Sequence, residues 1–200
     1  MPLSPPAERE PLHTRHVECR GYRRADGLWD VEGHMTDVKA YAFENEHRGR
    51  IEPGIPLHDM RLRLTLDDRF TILEVEAATD AAPYGVCGSI APAFQRLVGL
   101  RVKAGFTRQV KERLGGVHGC THLVELLGPM ATTAFQTIYP VLTRERAAAE
   151  GKTATSGPPS PPSAGDRPPP LLNSCHAFAS DGEIARRLWT AFYTGDRDAD

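Results

Sequence analysis

A strict two-residue alternation between positions 60 and 77 constrains the fold more than any other feature. Met60, Leu62, Leu64 and Leu66 alternate with Arg61, Arg63 and Thr65, and after Asp67-Asp68 the residues Thr71, Leu73, Val75 and Ala77 alternate with Ile72, Glu74 and Glu76. A period of two puts alternate side chains on opposite faces of a strand. The segment therefore predicts a β-hairpin in which Arg61 and Arg63 face Glu74 and Glu76 across the exposed side.

A second hairpin is predicted from His13 to about Ala42. Val17 and Cys19 precede the turn 24–27, which ends in Asp-Gly, and the alternation resumes at Trp29. Asp-Gly between two alternating runs is typical of a hairpin turn. Residues 44–56 are polar and contain glycine and proline, so they predict a loop. The expected sheet is an antiparallel meander of about four strands, made of two hairpins.

The pattern changes to helical spacing after Pro83. The first run of residues at helical spacing is Ile90, Phe94, Leu97 and Val98, and the second, before Gly115-Gly116, is Thr107, Val110 and Leu114. The third run follows Thr121, which can cap a helix, and consists of Leu123, Leu126, Leu127, Met130, Ala134, Phe135 and Ile138. These spacings predict three helices. Pro129 predicts a kink or break in the third helix, and Pro140 predicts its end. The expected fold class is α+β, with three helices packed on one face of the sheet.

Composition divides the chain into four parts. Residues 1–12 are polar and proline-rich, which predicts a flexible arm. Residues 13–145 are expected to form a single α+β domain, and the Pro/Ser/Gly-rich segment 146–170 is expected to be a linker. Residues 171–200 predict a helical segment, capped by Asp181, that docks on the domain. The linker is long enough for this segment to reach a partner chain instead, so a homodimer is an alternative.

Charge and hydropathy narrow the class of partner. The net charge is −2 with mixed signs, so the chain has no basic stripe for nucleic acid. No apolar run approaches the roughly 20 residues that span a bilayer, and the first residues do not resemble a signal peptide. Four widely spread cysteines fit a reducing compartment. We therefore expect a soluble, cytoplasmic protein that binds neither nucleic acid nor membrane.

Three short polar clusters predict a metal site. They are His58-Asp59, Cys87, and Cys120-Thr121-His122. Both ends of the second hairpin lie at one sheet edge, and Cys87 and Cys120 each begin a predicted helix, so the clusters can converge there. Thiolate, imidazole and carboxylate ligands suit zinc or ferrous iron. We expect a single Zn or Fe ion, with Asp59 or Glu125 as catalytic base.

Each of these residues also has a simpler interpretation. Cys87 and Cys120 could be core thiols, and His58-Asp59 could merely hold a turn. Further candidates are Cys175-His176, as an added ligand or lid, and Arg20, as a solvated residue or a contact for an anionic substrate.

The stretch from Leu57 to Ile138 resembles the iron–sulfur cluster scaffold family, the NifU and IscU-like proteins. That resemblance implies a metal site made by three cysteines and an aspartate. His58 stands near the first cysteine position, Asp59 near the aspartate, Cys87 at the second cysteine and Cys120 near the third. A histidine in place of a cysteine favours one metal ion over an assembled cluster.

The whole chain also resembles a bacterial family of unknown function, family 2889. The resemblance is carried by the segments 19–30, 119–123 and 174–177, which read CRGYRRADGLWD, GCTHL and SCHA. It implies a recurring architecture and no activity.

The residues leave three functional hypotheses open. The first is a metal-dependent enzyme that hydrolyses or hydrates a small organic acid or ester. The second is an accessory or scaffold protein that delivers metal or an iron–sulfur cluster. The third is a metal-free enzyme with Cys87 or Cys120 as nucleophile and His122 as base, which is disfavoured because helical residues i and i+2 point apart.

Overall fold

The computed structural model describes residues 3–149, 151, 168–169 and 171–195. It confirms an α+β fold, in which a four-stranded antiparallel sheet is followed by helices. The strands are β1 (His13–Arg23), β2 (Trp29–Lys39), β3 (Phe43–Asn45), β4 (Gly49–Ile51), β5 (Pro56–Leu66) and β6 (Ile72–Ala81). The main sheet has the order β1-β2-β5-β6, the predicted meander. The short hairpin of β3 and β4 occupies the segment predicted to be a loop.

β2, the second strand of the first hairpin, has one buried and one partly exposed face. Trp29, Val31 and Met35 on β2 are buried, and the residues between them are partly exposed. Gly33 belongs to the buried face, where a β-carbon would come within 2.6 Å of Met130 Sδ. Glycine therefore lets a helix lie close to the middle of the sheet. We call the buried side the inner face and the other side the outer face.

The second hairpin departs from the predicted alternation at one point. Arg63 donates to Glu76 at 2.8 Å as expected, but Arg61 donates to Asp80 instead. The register shifts between Thr65 and Leu66, and a shift of one residue exchanges the two faces. Ile72 is consequently fully buried and Leu73 is 40% exposed, so the predicted faces of these two residues were wrong.

Four helical segments follow β6 in the first unit: a 3-10 helix over Cys87–Leu97, α1 over Phe106–Leu114, a 3-10 turn over Gly116–His118 and α2 over Thr121–Ala149. All but the short turn contribute buried residues and supply the other half of the core. Their buried residues form one cluster with the inner face; they include Phe94, Leu97, Val110, Leu114, Leu123, Leu126, Leu127, Met130, Ala134 and Ile138. The segments therefore cover the inner face of the sheet, as expected.

The third predicted helix is longer than expected. α2 contains both Pro129 and Pro140 and continues to Ala149, so the predicted end near Pro140 was wrong. Of the two alternatives for Pro129, the break is wrong and the kink stays a prediction. Each proline removes one backbone donor. Buried residues lie on both sides of Pro129, and their packing outweighs that loss. The carbonyl of Pro129 is also bonded by Thr133 Oγ1 at 3.0 Å.

The chain divides into two compact units, Met1–Leu142 and Thr143–Asp200. In the first unit, residues 3–12 are exposed and form no helix or strand. Because α2 continues to Ala149, the predicted linker does not begin at 146. Its main part, 152–167, lies outside the described residues.

The second unit contains short helical elements. They are α3 (Glu183–Leu188) and the 3-10 turns His176–Phe178 and Thr190–Phe192. α3 is preceded by Gly182 and has no side-chain cap, so the predicted cap at Asp181 was wrong. Trp189 is buried with its ring 5.4 Å from that of Phe178. Docking of this unit on the first stays a prediction.

No helix within the described ranges is long and apolar enough to cross a membrane.

Candidate functional site

The site lies on the inner face, where β2 and β5 meet the start of α2. Asp37 and His58 are direct neighbours in the antiparallel pairing of these strands, and His122 lies in the first turn of α2. Potential ligand atoms of the three residues all lie within 4.8 Å of one another. Asp37 is 1% exposed and His58 is 9% exposed. Three polar side chains are thus gathered at one end of an otherwise apolar core.

Asp37 is the centre of a hydrogen-bond network. Arg15 donates through Nε to Oδ1 and through Nη2 to Oδ2, both at 2.8 Å. His13 Nε2 lies 3.2 Å from Oδ1, and His58 Nδ1 lies 2.9 Å from Oδ2. An ionised carboxylate has about four lone-pair sites, and these four contacts occupy them. Asp37 is therefore placed to orient its neighbours and has little capacity left to ligate an ion itself.

The charges in this network determine its protonation. Burial raises the pKa of Asp37. The hydrogen bonds and charge of Arg15, together with those of His58, lower the pKa by more than burial raises it, so that it falls from 3.8 to about 2. Burial, assisted by the adjacent His122, lowers the pKa of His58 from 6.5, although Asp37 opposes that change. At neutral pH Asp37 is therefore ionised and His58 is neutral. Because an ionised carboxylate only accepts, the His58 proton is on Nδ1, and Nε2 keeps its lone pair.

His122 and Cys120 complete the cluster. The rings of His58 and His122 have centroids 3.9 Å apart and are tilted by 33°. Cys120 Sγ lies 4.0 Å from His122 Nδ1 and 3.9 Å from Met60 Sδ. Cys120 precedes the first residue of α2, so helical geometry does not separate it from His122. The structure thus brings the predicted ligands His58 and His122 together and places Cys120 beside His122, but Cys120 is not in the group of described residues that could hold an ion.

Asp59 lies on the opposite side of the sheet. Its Oδ1 is 2.7 Å from His34 Nε2, on the outer face. Since Met60 points into the core, the period of two places His58 inward and Asp59 outward. The expectation that Asp59 shares a site with His58, as ligand or base, is therefore not met.

Cys87 and Glu125 also differ from their expected roles. Cys87 begins a 3-10 helix as predicted, but it is not in the group of described residues that could hold an ion. Glu125 accepts a hydrogen bond from Arg15 Nη1. Its carboxylate therefore anchors Arg15, which in turn holds Asp37. This contact fits a supporting residue better than the predicted base.

The remaining candidates lie elsewhere. Arg20 is on the outer face and donates to Glu18 at 2.8 Å. Cys175 is exposed and His176 begins a 3-10 turn, both in the second unit. Cys19 packs against the core, and burial raises its pKa.

Sequence reasoning missed Asp37, Arg15 and His13. A signal for Asp37 was present, because Trp29, Val31, Gly33 and Met35 set the inward phase of β2 and Asp37 continues it. A carboxylate in the buried phase of a strand requires partners, since burying an unpaired charge is costly. Arg15 and His13 follow from the pairing of β1 with β2, which places Arg15 directly opposite Asp37.

Comparison with known proteins gives one family. A family model described as a protein of unknown function, DUF2889, matches residues 13–136. The match includes Asp37, His58, Cys120 and His122. No curated protein and no solved structure matches the chain. The resemblance to the iron–sulfur cluster scaffolds is thus not confirmed.

Proposed function

The chain belongs to the DUF2889 family, whose description names no activity, and we propose from the site geometry that it is a metal-binding protein using His58 and His122. The expected ion is a single Zn²⁺ or Fe²⁺, and the expected activity is hydrolysis or hydration of a small organic acid or ester. The observation that carries the proposal is the pair of imidazoles, His58 and His122, beside an ionised Asp37 whose acceptor sites are all occupied by hydrogen bonds.

The contact between Asp37 and His58 resembles the support that metal-binding histidines usually have. Such a histidine commonly donates its second ring N–H to a carboxylate, which fixes the tautomer and makes the ligating nitrogen more basic. Here Nδ1 of His58 donates to Asp37 Oδ2 at 2.9 Å. The free Nε2 is left for the ion. Arg15 neutralises the charge of Asp37, so the buried carboxylate stays ionised. Asp37 then supports His58 and is not itself a ligand of the ion.

Cys120 is the best candidate for a third ligand. Its sulfur is 4.0 Å from His122 Nδ1, but Cys120 is outside the group of described residues that could hold an ion, so an ion shared with both imidazoles requires a side-chain movement. Three protein ligands drawn from histidine, cysteine and carboxylate are typical of zinc sites that keep a fourth position open for water or substrate. A bound ion of this kind supplies a water of lowered pKa and polarises a carbonyl oxygen. The chain's own part is to orient the imidazoles and to shield one side of the site with the apolar core.

Metal analysis tests the proposal. Protein purified without chelator should contain close to one equivalent of zinc or iron, and His58→Ala and His122→Ala should each lose most of it. His34→Ala is the matched control, because His34 is on β2 but faces outward beside Asp59. Equal, negligible metal content in all four proteins would contradict the proposal.

Cobalt substitution tests the third ligand separately. A thiolate ligand to Co²⁺ gives an intense charge-transfer band in the near ultraviolet, which Cys120→Ser should abolish while cobalt still binds. If the band is absent from the wild type, the ion has no sulfur ligand. The two-imidazole site itself would then be judged by the metal content alone.

The distance between Cys120 and His122 also favours a second candidate, a metal-free cysteine enzyme. His122 at 4.0 Å could take the thiol proton after a small movement, and the resulting thiolate would be the nucleophile. With chelator present, alkylation of Cys120 by iodoacetamide should then be slowed in His122→Ala. The same rate in both proteins would eliminate this candidate.

A further inference from the structure

An apolar cleft lies between α1 and α2, one helical turn from His122. Its walls are Phe106 and Val110 from α1, and Val124 and Leu127 from α2. The cavity has a volume of about 180 Å³. An apolar cavity of about 150 Å³ in another protein binds benzene. The cleft is therefore large enough for a body of one aromatic ring, and Phe106 offers it a ring to pack against.

The rim of the cleft carries charge. Lys111 and Glu125 both line it. Glu125 is paired with Arg15, whereas Lys111 has no ion-pair partner among the residues that the structure describes. A lysine at the edge of an apolar cleft can attract a carboxylate while the apolar part of the ligand is buried. Glu125 shares Arg15 with Asp37, so the ammonium of Lys111 is the rim charge that no described residue pairs.

The position of the cleft relates it to the imidazole pair. Glu125 is three residues after His122 on α2, so the two side chains lie on neighbouring turns of the same face. Glu125 also holds Arg15, which holds Asp37 beside His58. A ligand in the cleft would therefore lie on the helix that carries His122, beside the carboxylate that anchors Arg15.

We propose that this cleft binds a small monocarboxylic acid, or its ester, whose apolar body is about the size of a benzene ring. The role of such a molecule as substrate rests on the proposed metal-dependent function. Its binding to the cleft does not, because neither the walls nor Lys111 is part of the imidazole pair.

Gly128 allows the cleft to be filled without disturbing the fold. It lines the cleft, and a β-carbon there would have no neighbour within 4 Å. Gly128→Phe should occupy the space intended for the ligand. Gln136→Phe is the matched control, because Gln136 is exposed on the same helix and does not line the cleft.

Titration with sodium benzoate tests the proposal, using the full chain with chelator present and protein NMR as the readout. Benzoate should shift methyl signals of Val110 and Leu127, acetate should not, and Gly128→Phe should weaken benzoate binding by at least about tenfold, a free-energy change of about 1.4 kcal/mol. Lys111→Met should weaken benzoate binding but not the binding of benzyl alcohol. Gln136→Phe should behave like the wild type.

Two outcomes would overturn the inference. One is a set of benzoate-induced shifts that avoids the cleft or survives Gly128→Phe. The other is a network of NOEs from residues beyond Leu142 to these methyls in the free protein, which would mean that the chain itself fills the cleft. Because chelator is present throughout, either outcome is independent of the metal analysis. Failure of the metal proposal would remove the substrate role and leave the cleft result standing.

Discussion

Replacing Asp37 with asparagine should destabilise the metal-free protein by about 2 kcal/mol at neutral pH. The folded protein holds the pKa of Asp37 at about 2, compared with 3.8 for an ordinary aspartate. At about 1.4 kcal/mol per pKa unit, this difference corresponds to about 2 kcal/mol of folding free energy. The amide of asparagine cannot reproduce it, because it has one acceptor oxygen where Arg15, His13 and His58 need four acceptor sites.

The pH dependence has a definite sign. A folded pKa below the unfolded pKa means that the ionised carboxylate favours the folded state. Its contribution is complete well above pH 3.8 and is lost as pH falls toward 2. The difference in unfolding free energy between wild type and Asp37→Asn should therefore shrink by about 1 kcal/mol between pH 6 and pH 3.

Urea denaturation followed by circular dichroism, at both pH values and with chelator, measures this difference. Asp59→Asn is the matched control, since Asp59 is on the neighbouring strand and pairs with His34 on the outer face. Its removal should cost less than about 1 kcal/mol, because the pair remains in contact with solvent, with the His34 and Asp59 side chains 27% and 22% exposed. The reasoning is refuted if Asp37→Asn costs no more than Asp59→Asn, or if its cost is the same at pH 6 and pH 3.

Three further outcomes are expected. Gly21→Ala should destabilise the protein by about 1–3 kcal/mol, because its β-carbon would overlap the Thr137 side chain; a neutral effect in urea denaturation would contradict the close approach of α2 to β1. Leu64→Ala should cost about 2–5 kcal/mol and Leu73→Ala far less, since only Leu64 is buried, and equal costs would place the register shift elsewhere. Metal affinity, measured by competition with a chromophoric chelator, should decrease as the pH is lowered and His58 becomes protonated. Because the pKa of His58 is lowered, this decrease should occur at a lower pH than for an ordinary histidine; a pH-independent affinity would exclude imidazole ligands.

The local parts of the fold followed from local sequence. The alternation from Met60 to Leu66 and the Asp-Gly turn at 26–27 predicted both hairpins, because strand periodicity and turn chemistry act over a few residues. The start of α2 was predicted to within one residue for the same reason, since Thr121 was expected to be the cap and is the first residue of the helix. The short β3–β4 hairpin was missed, since its three-residue strands are too short to have a recognisable period.

Features that depend on packing were not predicted. Pro129 indicated a kink or a break and Pro140 a helix end, but α2 runs through both, because burial of α2 on the sheet outweighs the local cost of each proline. The register shift beside Leu66 exchanged the faces of Ile72 and Leu73, and alternation alone contains no mark of such a bulge.

The candidate site likewise has a part that the sequence determined and a part that depended on packing. The sequence by itself determined the ligand-type residues, since His58, Cys120 and His122 were identified from their chemistry and their places at the ends of elements. Only the tertiary structure decided which of them meet. Strand pairing puts Arg15 and His58 on either side of Asp37, and the pleat turns Asp59 away from them. Contacts between residues about 20 to 110 positions apart arise from sheet register and helix docking, which no local pattern encodes.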